Sequence, residues 1–468
     1  MNIILLISDT FRYDNLFGRA QMPVRTPYIN EFAKRAVGCS RMYMASFPTI
    51  PHRTDVTSGR YGWPWYGWQD RALSGRNHLP MILGKANYVS QLICDCPHLF
   101  HAGFDKGFSA AQTLRGQEGD KPMLRMNHPI EDAMPREKTR FGQGFLGHNL
   151  VNLHCWTNRA WSRGDREEER FPPRTARLTV EFLEENYRHN PFFLWVDFFD
   201  PHEPWDPPEY MVRRYQPSYD GPAMLHPNYG KASDYTPGEL ENLRAHYCAE
   251  AELVDRGIGR VLQKIDDLQL WDNSIVVFTA DHGTFLGEHN RTGKSNINQG
   301  DDRFWPIYPE IAQVPFLIAA PGLKGGREID ALLQPPDILP TLLDLAGLKV
   351  APPDPFHGRS FAPLLRGESD KPINNLAITA AFLKRRDGSV SPKAVTPKAN
   401  TPMVYTTKWA FAPVGSEGEP ELYDLEADPG ALRNVAPKNP AMVEEMRSKA
   451  LTWLNSVGAP KEAIRMFQ

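Results

Sequence analysis

NIILLISDT, residues 2–10, decides the fold class. Ile3 to Ile7 form an unbroken aliphatic run with no polar alternation, which suits a strand covered by helices on both faces, as in a parallel sheet. Three more runs share that character: Phe192–Phe198 (FFLWVDF), Ile275–Thr279 (IVVFT) and Val314–Ala319 (VPFLIA). Between FFLWVDF and IVVFT a helical period spans Pro237 to Leu268, carried by Leu253, Ile258, Val261, Leu262 and Ile265. PPDILPTLLDLAGL, from Pro335 to Leu348, reads as a further helix that closes at Gly347. Strands alternating with helices predict an α/β fold with a mostly parallel sheet flanked by helices.

Outward from these runs the pattern changes twice. Residues 110–173 carry charge clusters and scattered aromatics without a sustained period, and read as an insertion or lid within a main unit over 1–366. From Gly367 the chain passes through a Lys/Pro/Ser/Thr-rich stretch to short strand-like pieces, MVYTTKWAFAP and ELYDL, and a last helix from Pro440 to Val457. This predicts a small C-terminal α+β subdomain over 367–468. Trp63–Asp70 reads as a loop packed on the core, RGDREEER (Arg163–Arg170) as a solvated face, and RGQEGD (Arg115–Asp120) as a specificity loop.

Composition narrows the function. Across 468 residues, Lys+Arg 53 balance Asp+Glu 56, and hydrophobic residues at 41% with charged at 23% match ordinary globular usage. Disordered and fibrous classes are excluded, and the absence of a basic excess argues against a nucleic-acid partner. Five cysteines without a CxxC give neither a disulfide framework nor a Cys-rich zinc site. No secretory signal and no apolar stretch of roughly 20 residues is present. The expectation is a cytoplasmic protein with reduced thiols and no membrane partner. Its long loops and C-terminal extension are compatible with a homo-oligomer, a dimer or tetramer.

Polar residues fall where such a sheet binds ligands. Asp9 ends the first run, His202 follows the second in FDPHEPW, and Asp281-His282 follow the third. In open α/β sheets, ligands bind beyond the carboxyl ends of the strands. Asp9, Asp281 and His282 form an N/O donor set suited to a divalent ion such as Mn, Zn or Mg. Each residue alone has a plainer reading as turn or cap chemistry. Their agreement on one edge carries the inference.

Longer segments add a resemblance. SDTFRYDNL (Ser8–Leu16), PTIPHRTDVTSGRYG (Pro48–Gly62), YCAEAELVDRGIGRVL (Tyr247–Leu262), TADHGTFLGEHNRTGK (Thr279–Lys294) and ELYDLEADP (Glu421–Pro429) occur in the order found in sulfatases of the alkaline-phosphatase superfamily. Over nearly its whole length the chain resembles that family, and with it an alkaline-phosphatase-like fold is implied. Pro51, Arg53, Gly59 and Arg60 fall in register with the signature C/S-x-P-x-R and its Thr-Gly-Arg ending, which puts Thr49 at the nucleophile position. The resemblance implies one divalent metal ion, Mn, Zn or Ca, at Asp9, Thr49, Asp281 and His282, with Thr10 where many sulfatases have a second Asp. It implies Arg53 beside the nucleophile, Lys294 and His202 on the non-bridging oxygens, and His98 near a second substrate-binding histidine.

Two departures shape the expected chemistry. Sulfatases oxidise a Cys or Ser to formylglycine, whose hydrate offers two hydroxyls; Thr49 is a secondary alcohol and cannot yield that aldehyde. A single hydroxyl forms a covalent ester that water must then cleave, as in the phosphate-cleaving relatives. Thr10 in place of Asp, together with His282, favours Mn or Zn over Ca. The pattern, with Lys294 thirteen residues beyond Asp281, resembles the phosphonate monoester hydrolase and phosphodiesterase members. The expected substrate is a small phosphate diester or phosphonate monoester. The alternatives are a sulfuric ester cleaved without formylglycine, a binding protein that has lost catalysis, and a phosphotransferase.

Overall fold

All four apolar runs become strands of one sheet: Asn2–Ser8, Phe192–Phe198, Ser274–Ala280 and Phe316–Ala319. The computed structural model describes residues 1–65, 77–118, 120, 165–296, 301–381 and 400–468. Among these, the sheet has eight strands in the spatial order Arg327–Leu333, Val37–Met42, Phe316–Ala319, Ser274–Ala280, Asn2–Ser8, Phe192–Phe198, Val89–Cys94, Ala110–Thr113. Asn2–Ser8 pairs in parallel with both Ser274–Ala280 and Phe192–Phe198, so the three strands that end in candidate residues lie side by side. Phe316–Ala319 runs antiparallel to both its neighbours, and the other pairings are parallel. Every residue of the three central strands is buried, as their unbroken apolar character requires.

Helices cover this sheet. The long helix Pro237–Asp267 starts from a capping box: Glu239 N donates to Thr236 Oγ1 at 3.3 Å, and Thr236 N donates to Glu239 Oε2 at 2.8 Å. Its stripe of Leu253, Val254, Ile258, Val261 and Ile265 is buried, and it packs on Phe171–Asn186. Pro335–Leu345 begins as a 3-10 turn and continues as the helix Ile338–Leu345. No described helix is long and apolar enough to cross a membrane.

A second sheet has the order Glu421–Asp424, Trp409–Ala412, Met403–Tyr405, Ala377–Ala381, Ser46–Phe47. One of its faces packs against Met446, Ala450 and Leu454 of the helix Pro440–Ser456. Its last strand comes from the N-terminal part of the chain and pairs in parallel with Ala377–Ala381, so this sheet is not built from 367–468 alone. That strand ends just before Thr49, and the C-terminal sheet therefore fixes the approach to the nucleophile position.

The stretch expected as an insertion is smaller than 110–173. Ala110–Thr113 pairs in parallel with Val89–Cys94 and forms the edge of the main sheet, while Phe171 already opens the helix Phe171–Asn186. The intervening residues, apart from 114–118, 120 and 165–170, lie outside the described residues, as do residues 66–70 of the aromatic cluster. Trp63 is fully buried in the C-terminal core. Glu167 and Glu168 are paired with Arg256 and Arg260 of the long helix rather than merely solvated.

Candidate active site

Four neighbouring parallel strands, Ser274–Ala280, Asn2–Ser8, Phe192–Phe198 and Val89–Cys94, end at one edge of the sheet. Asp9 and Asp281-His282 follow the first two directly, and all three side chains are fully buried. One donor atom from each lies within 4.8 Å of the others. His282 Nδ1 bonds the Gly283 carbonyl at 3.0 Å, which turns Nε2 toward Asp9 Oδ1 and Asp281 Oδ2, each 3.6 Å away. Burial pushes His282 down to about 3, against the opposing pull of Asp9, so the imidazole is neutral, the form that ligates metals. His282 Nε2 has no hydrogen-bond partner among the described residues, and Asp9 Oδ2 faces the Arg53 guanidinium at 3.2 Å. A buried, unpartnered imidazole nitrogen beside two carboxylates is a donor set that fits a divalent ion.

The backbone around this trio is constrained for the purpose. Thr10 has φ +61°, an unfavourable value for a β-branched residue. Its N–H donates to Asp281 Oδ1 at 3.0 Å, its hydroxyl to Asp9 Oδ1 at 2.8 Å, and its carbonyl accepts from Tyr247 at 2.9 Å. The structure thus uses Thr10 to orient both carboxylates. Gly283 is required by space: a Cβ there would stand 2.0 Å from the Glu310 carbonyl oxygen.

Thr49 is the first residue of the helix Thr49–Ser58, whose residues are all buried. Asp55 on this helix accepts from Ser46 N and Ser46 Oγ, both at 2.8 Å, and from Gly62 N at 2.7 Å, which ties the helix to the segments on either side. Gly59 closes it at φ +65°. Arg53, one turn beyond Thr49, is fully buried and donates to Asp197 Oδ2 at 3.0 Å and Oδ1 at 2.8 Å. Its Nη1 reaches the Thr49 carbonyl at 3.2 Å, Asp9 Oδ2 at 3.2 Å and Asp281 Oδ2. Three buried carboxylates thus converge on one guanidinium. The adjacent His52 is held well below the ordinary imidazole range, by burial and then by Arg53, so this helix contributes one positive charge and not two.

Beyond the trio lies a second group. Lys294 Nζ contacts Glu203 Oε1 at 2.9 Å and Oε2 at 3.1 Å. His202 stacks on Phe199 at 4.1 Å and bonds the Glu203 carbonyl through Nδ1 at 2.7 Å. Both Lys294 and His202 lie near enough to His282 to act on its charge. His98, on the short helix Pro97–His101, joins them through a residue of the expected specificity loop to which the sequence assigned no individual role: Glu118 Oε1 is 3.9 Å from His98 Nε2, and Glu118 Oε2 is 3.5 Å from His202 Nε2. The structure therefore gathers Asp9, Thr10, Thr49, Arg53, His98, His202, Asp281, His282 and Lys294 at one sheet edge. To these it adds Asp197, Glu203 and Glu118. His289 is elsewhere, stacked on Tyr308 at 3.8 Å and 3.3 Å from Glu310.

Comparison with known proteins agrees with this architecture. Residues 1–348 match the family model described as Sulfatase, and residues 299–455 match that of the N-sulphoglucosamine sulphohydrolase C-terminal region. An arylsulfatase of Clostridium perfringens is 26% identical over 465 residues, covering 93% of this chain and 90% of its own. An endo-4-O-sulfatase of Bacteroides thetaiotaomicron is 26% identical over 470 residues, covering 94% and 86%. Among solved structures, the phosphonate monoester hydrolase of Agrobacterium radiobacter superposes with TM-score 0.69 at 23% identity, covering 96% of this chain and 95% of that one. A protein solved in complex with D-glucosamine-2-N,6-O-disulfate also gives TM-score 0.69, at 17% identity and 97% coverage of both chains. At these identities the structural likeness speaks for the fold.

Proposed function

Because the chain belongs to the sulfatase family of the alkaline-phosphatase superfamily, a family of ester hydrolases, we propose that it cleaves small phosphate diesters or phosphonate monoesters with the Thr49 hydroxyl as nucleophile. The observation that carries this reading is the residue itself: a secondary alcohol at the first turn of a buried helix, one turn from Arg53. The helix N-terminus and the guanidinium both favour negative charge developing there. Thr49 Oγ releases its proton to solvent and forms a bond to phosphorus as the bond to the ester oxygen breaks, and the leaving oxygen takes up a proton, for which the His202 imidazolium is the proposed donor. Water then attacks phosphorus, and Thr49 departs with a proton restored to its oxygen. Lys294 orients the non-bridging oxygens. Asp9, Asp281 and His282 would hold a divalent ion, which would supply Lewis-acid chemistry at the nucleophile and the ester; the imidazole among the donors supports Mn or Zn over Ca.

A second reading, sulfuric-ester hydrolysis without formylglycine, is favoured by the arylsulfatase at 26% identity that spans nine-tenths of both chains. Comparing kcat/KM for bis(4-nitrophenyl) phosphate, 4-nitrophenyl phenylphosphonate and 4-nitrophenyl sulfate, with Mn or Zn added, separates the two. The phosphorus esters are expected to turn over faster, and acid-quenched mass spectrometry to find a phosphonyl adduct on the Thr49 peptide. Faster sulfate turnover moves the assignment to the second reading. Undiminished activity in Thr49→Ala removes both.

A further inference from the structure

A carboxylate stands at the oxygen-binding end of the site, where an anionic ester must enter. The main sheet's edge strand puts it there: Leu114 N continues the pairing beyond Ala110–Thr113 by donating to the Cys94 carbonyl at 3.0 Å, so residues 115–118 leave from the same edge as the catalytic segments. This short loop closes on itself, since Asp120 Oδ2 accepts from Arg115 Nε at 2.5 Å and from Gly116 N at 2.8 Å. It is anchored inward by Gln117, 1% exposed, which donates to Asp200 Oδ1 at 2.9 Å. Glu118 is then aimed at His202 and His98, at 3.5 and 3.9 Å. Burial works against its ionisation, but the nearby His98, His202 and Lys294 prevail and bring it down to about 2. It is charged across the neutral range.

We propose that Glu118 is a specificity-determining residue that restricts the site to esters carrying a single negative charge. Lys294 is already matched by Glu203, and Glu118 faces both His202 and His98, so the group that receives the non-bridging oxygens holds little spare positive charge. Phosphate diesters, phosphonate monoesters and sulfate monoesters each bring one charge. A phosphate monoester brings nearly two above its second pKa of about 6. The extra charge meets Glu118 at a partly exposed position, a repulsion on the order of tenfold in kcat/KM. The inference rests on the proposed ester hydrolysis, but it discriminates by charge and not by central atom, so it holds under either reading of the substrate. A carboxylate that merely latched the loop would affect all esters alike.

The test compares wild type, Glu118→Gln and Glu118→Asp, each loaded with Mn, on 4-nitrophenyl phenylphosphonate and bis(4-nitrophenyl) phosphate as monoanions and on 4-nitrophenyl phosphate at pH 8 as dianion. Glu118→Gln is expected to raise the dianion-to-monoanion ratio of kcat/KM by on the order of tenfold, while Glu118→Asp keeps the wild-type ratio. An unchanged ratio in Glu118→Gln, including a uniform loss on all substrates, overturns the inference. Calorimetry with inorganic phosphate supplies an arm that needs no turnover. Wild type should bind phosphate more weakly at pH 8 than at pH 6, and Glu118→Gln should lose that weakening. Tighter binding by wild type at pH 8 also overturns the inference, even if the variant does not fold. A wild-type enzyme that cleaves none of the esters defeats the proposed function, while the phosphate arm still decides the role of Glu118.

Discussion

Replacing Arg53 by methionine tests the electrostatic design of the site more sharply than any change to a ligand. Methionine keeps much of the stem and removes a guanidinium that donates twice to Asp197, at 3.0 and 2.8 Å, and also faces Asp9 and Asp281. All of these side chains are fully buried. Removing one partner of a buried ion pair costs about 3–5 kcal/mol, because the charge left behind is uncompensated. Here several carboxylates are left, and the loss is limited by protonation. Burial already holds Asp197 above the ordinary carboxylate range, with Arg53 as the main opposing pull; without Arg53 it rises further. A carboxyl whose folded pKa lies above its unfolded value contributes stability that is complete below the unfolded pKa and is lost as pH rises. The penalty of Arg53→Met should therefore be small near pH 4 and reach about 3–5 kcal/mol at pH 8. Urea unfolding followed by tryptophan fluorescence at both pH values reads it, and Arg53→Met/Asp197→Asn should recover part of the loss. A penalty below about 1 kcal/mol at pH 8, or one independent of pH, refutes the reasoning.

Two further outcomes follow from the same geometry. Thr49→Ala should lower kcat by at least about a thousandfold with Tm nearly unchanged, while Thr49→Ser should stay within about tenfold of wild type, since serine retains the attacking hydroxyl; initial rates on the nitrophenyl phosphonate check both. Glu250, 3% exposed on the long helix, is pushed up to about 8, first by burial and then by Asp206. Its stabilising contribution is complete below the unfolded value near 4.5 and drains away as pH rises to about 8. Glu250→Gln should thus flatten the decline in stability between pH 5 and pH 8 and be more stable than wild type at pH 8 by on the order of 1–3 kcal/mol, measured by urea titration at each pH.

What could be read from the sequence followed from how each residue's role is encoded. The central strands were legible because burial on both faces leaves an unbroken apolar run, and Asp9, Asp281 and His282 because they stand directly at the ends of such runs. Val37–Met42 (VGCSRM) and Ala110–Thr113 (AAQT) carry no such signal: they lie toward the sheet margins, where Gly, Ser, Arg and Gln are tolerated. The specificity loop was singled out by its composition, but its reach into the site depended on the unseen strand that precedes it. Asp197 is the one polar residue inside the buried run FFLWVDF, and its pairing with Arg53, 144 residues earlier, is not encoded by local spacing. Glu203 and Glu118 are defined by partners far away in the chain, Lys294 and the two histidines, and spacing along the sequence does not encode such pairings.

Asp197 also bears on why the candidate metal-binding end holds more acids than a divalent ion needs. Asp9, Asp197 and Asp281 set three carboxylates against the single guanidinium of Arg53, with His282 neutral, and a divalent ion would offset the excess. Arg53 and the ion compete for Asp9 and Asp281, because Nη1 of the guanidinium already touches both. The bidentate grip of Asp197 on Nε and Nη2 holds the guanidinium to one side of that contest. Asp197→Asn weakens this grip and leaves Arg53 to settle on the two ligands, so the variant should bind Mn on the order of 10–100-fold more weakly although Asp197 is not one of the grouped donors. Calorimetric titration of the metal-stripped protein reads the affinity directly. Wild-type affinity in Asp197→Asn would mean that Arg53 and the ion do not compete, and that the third carboxylate serves the fold alone.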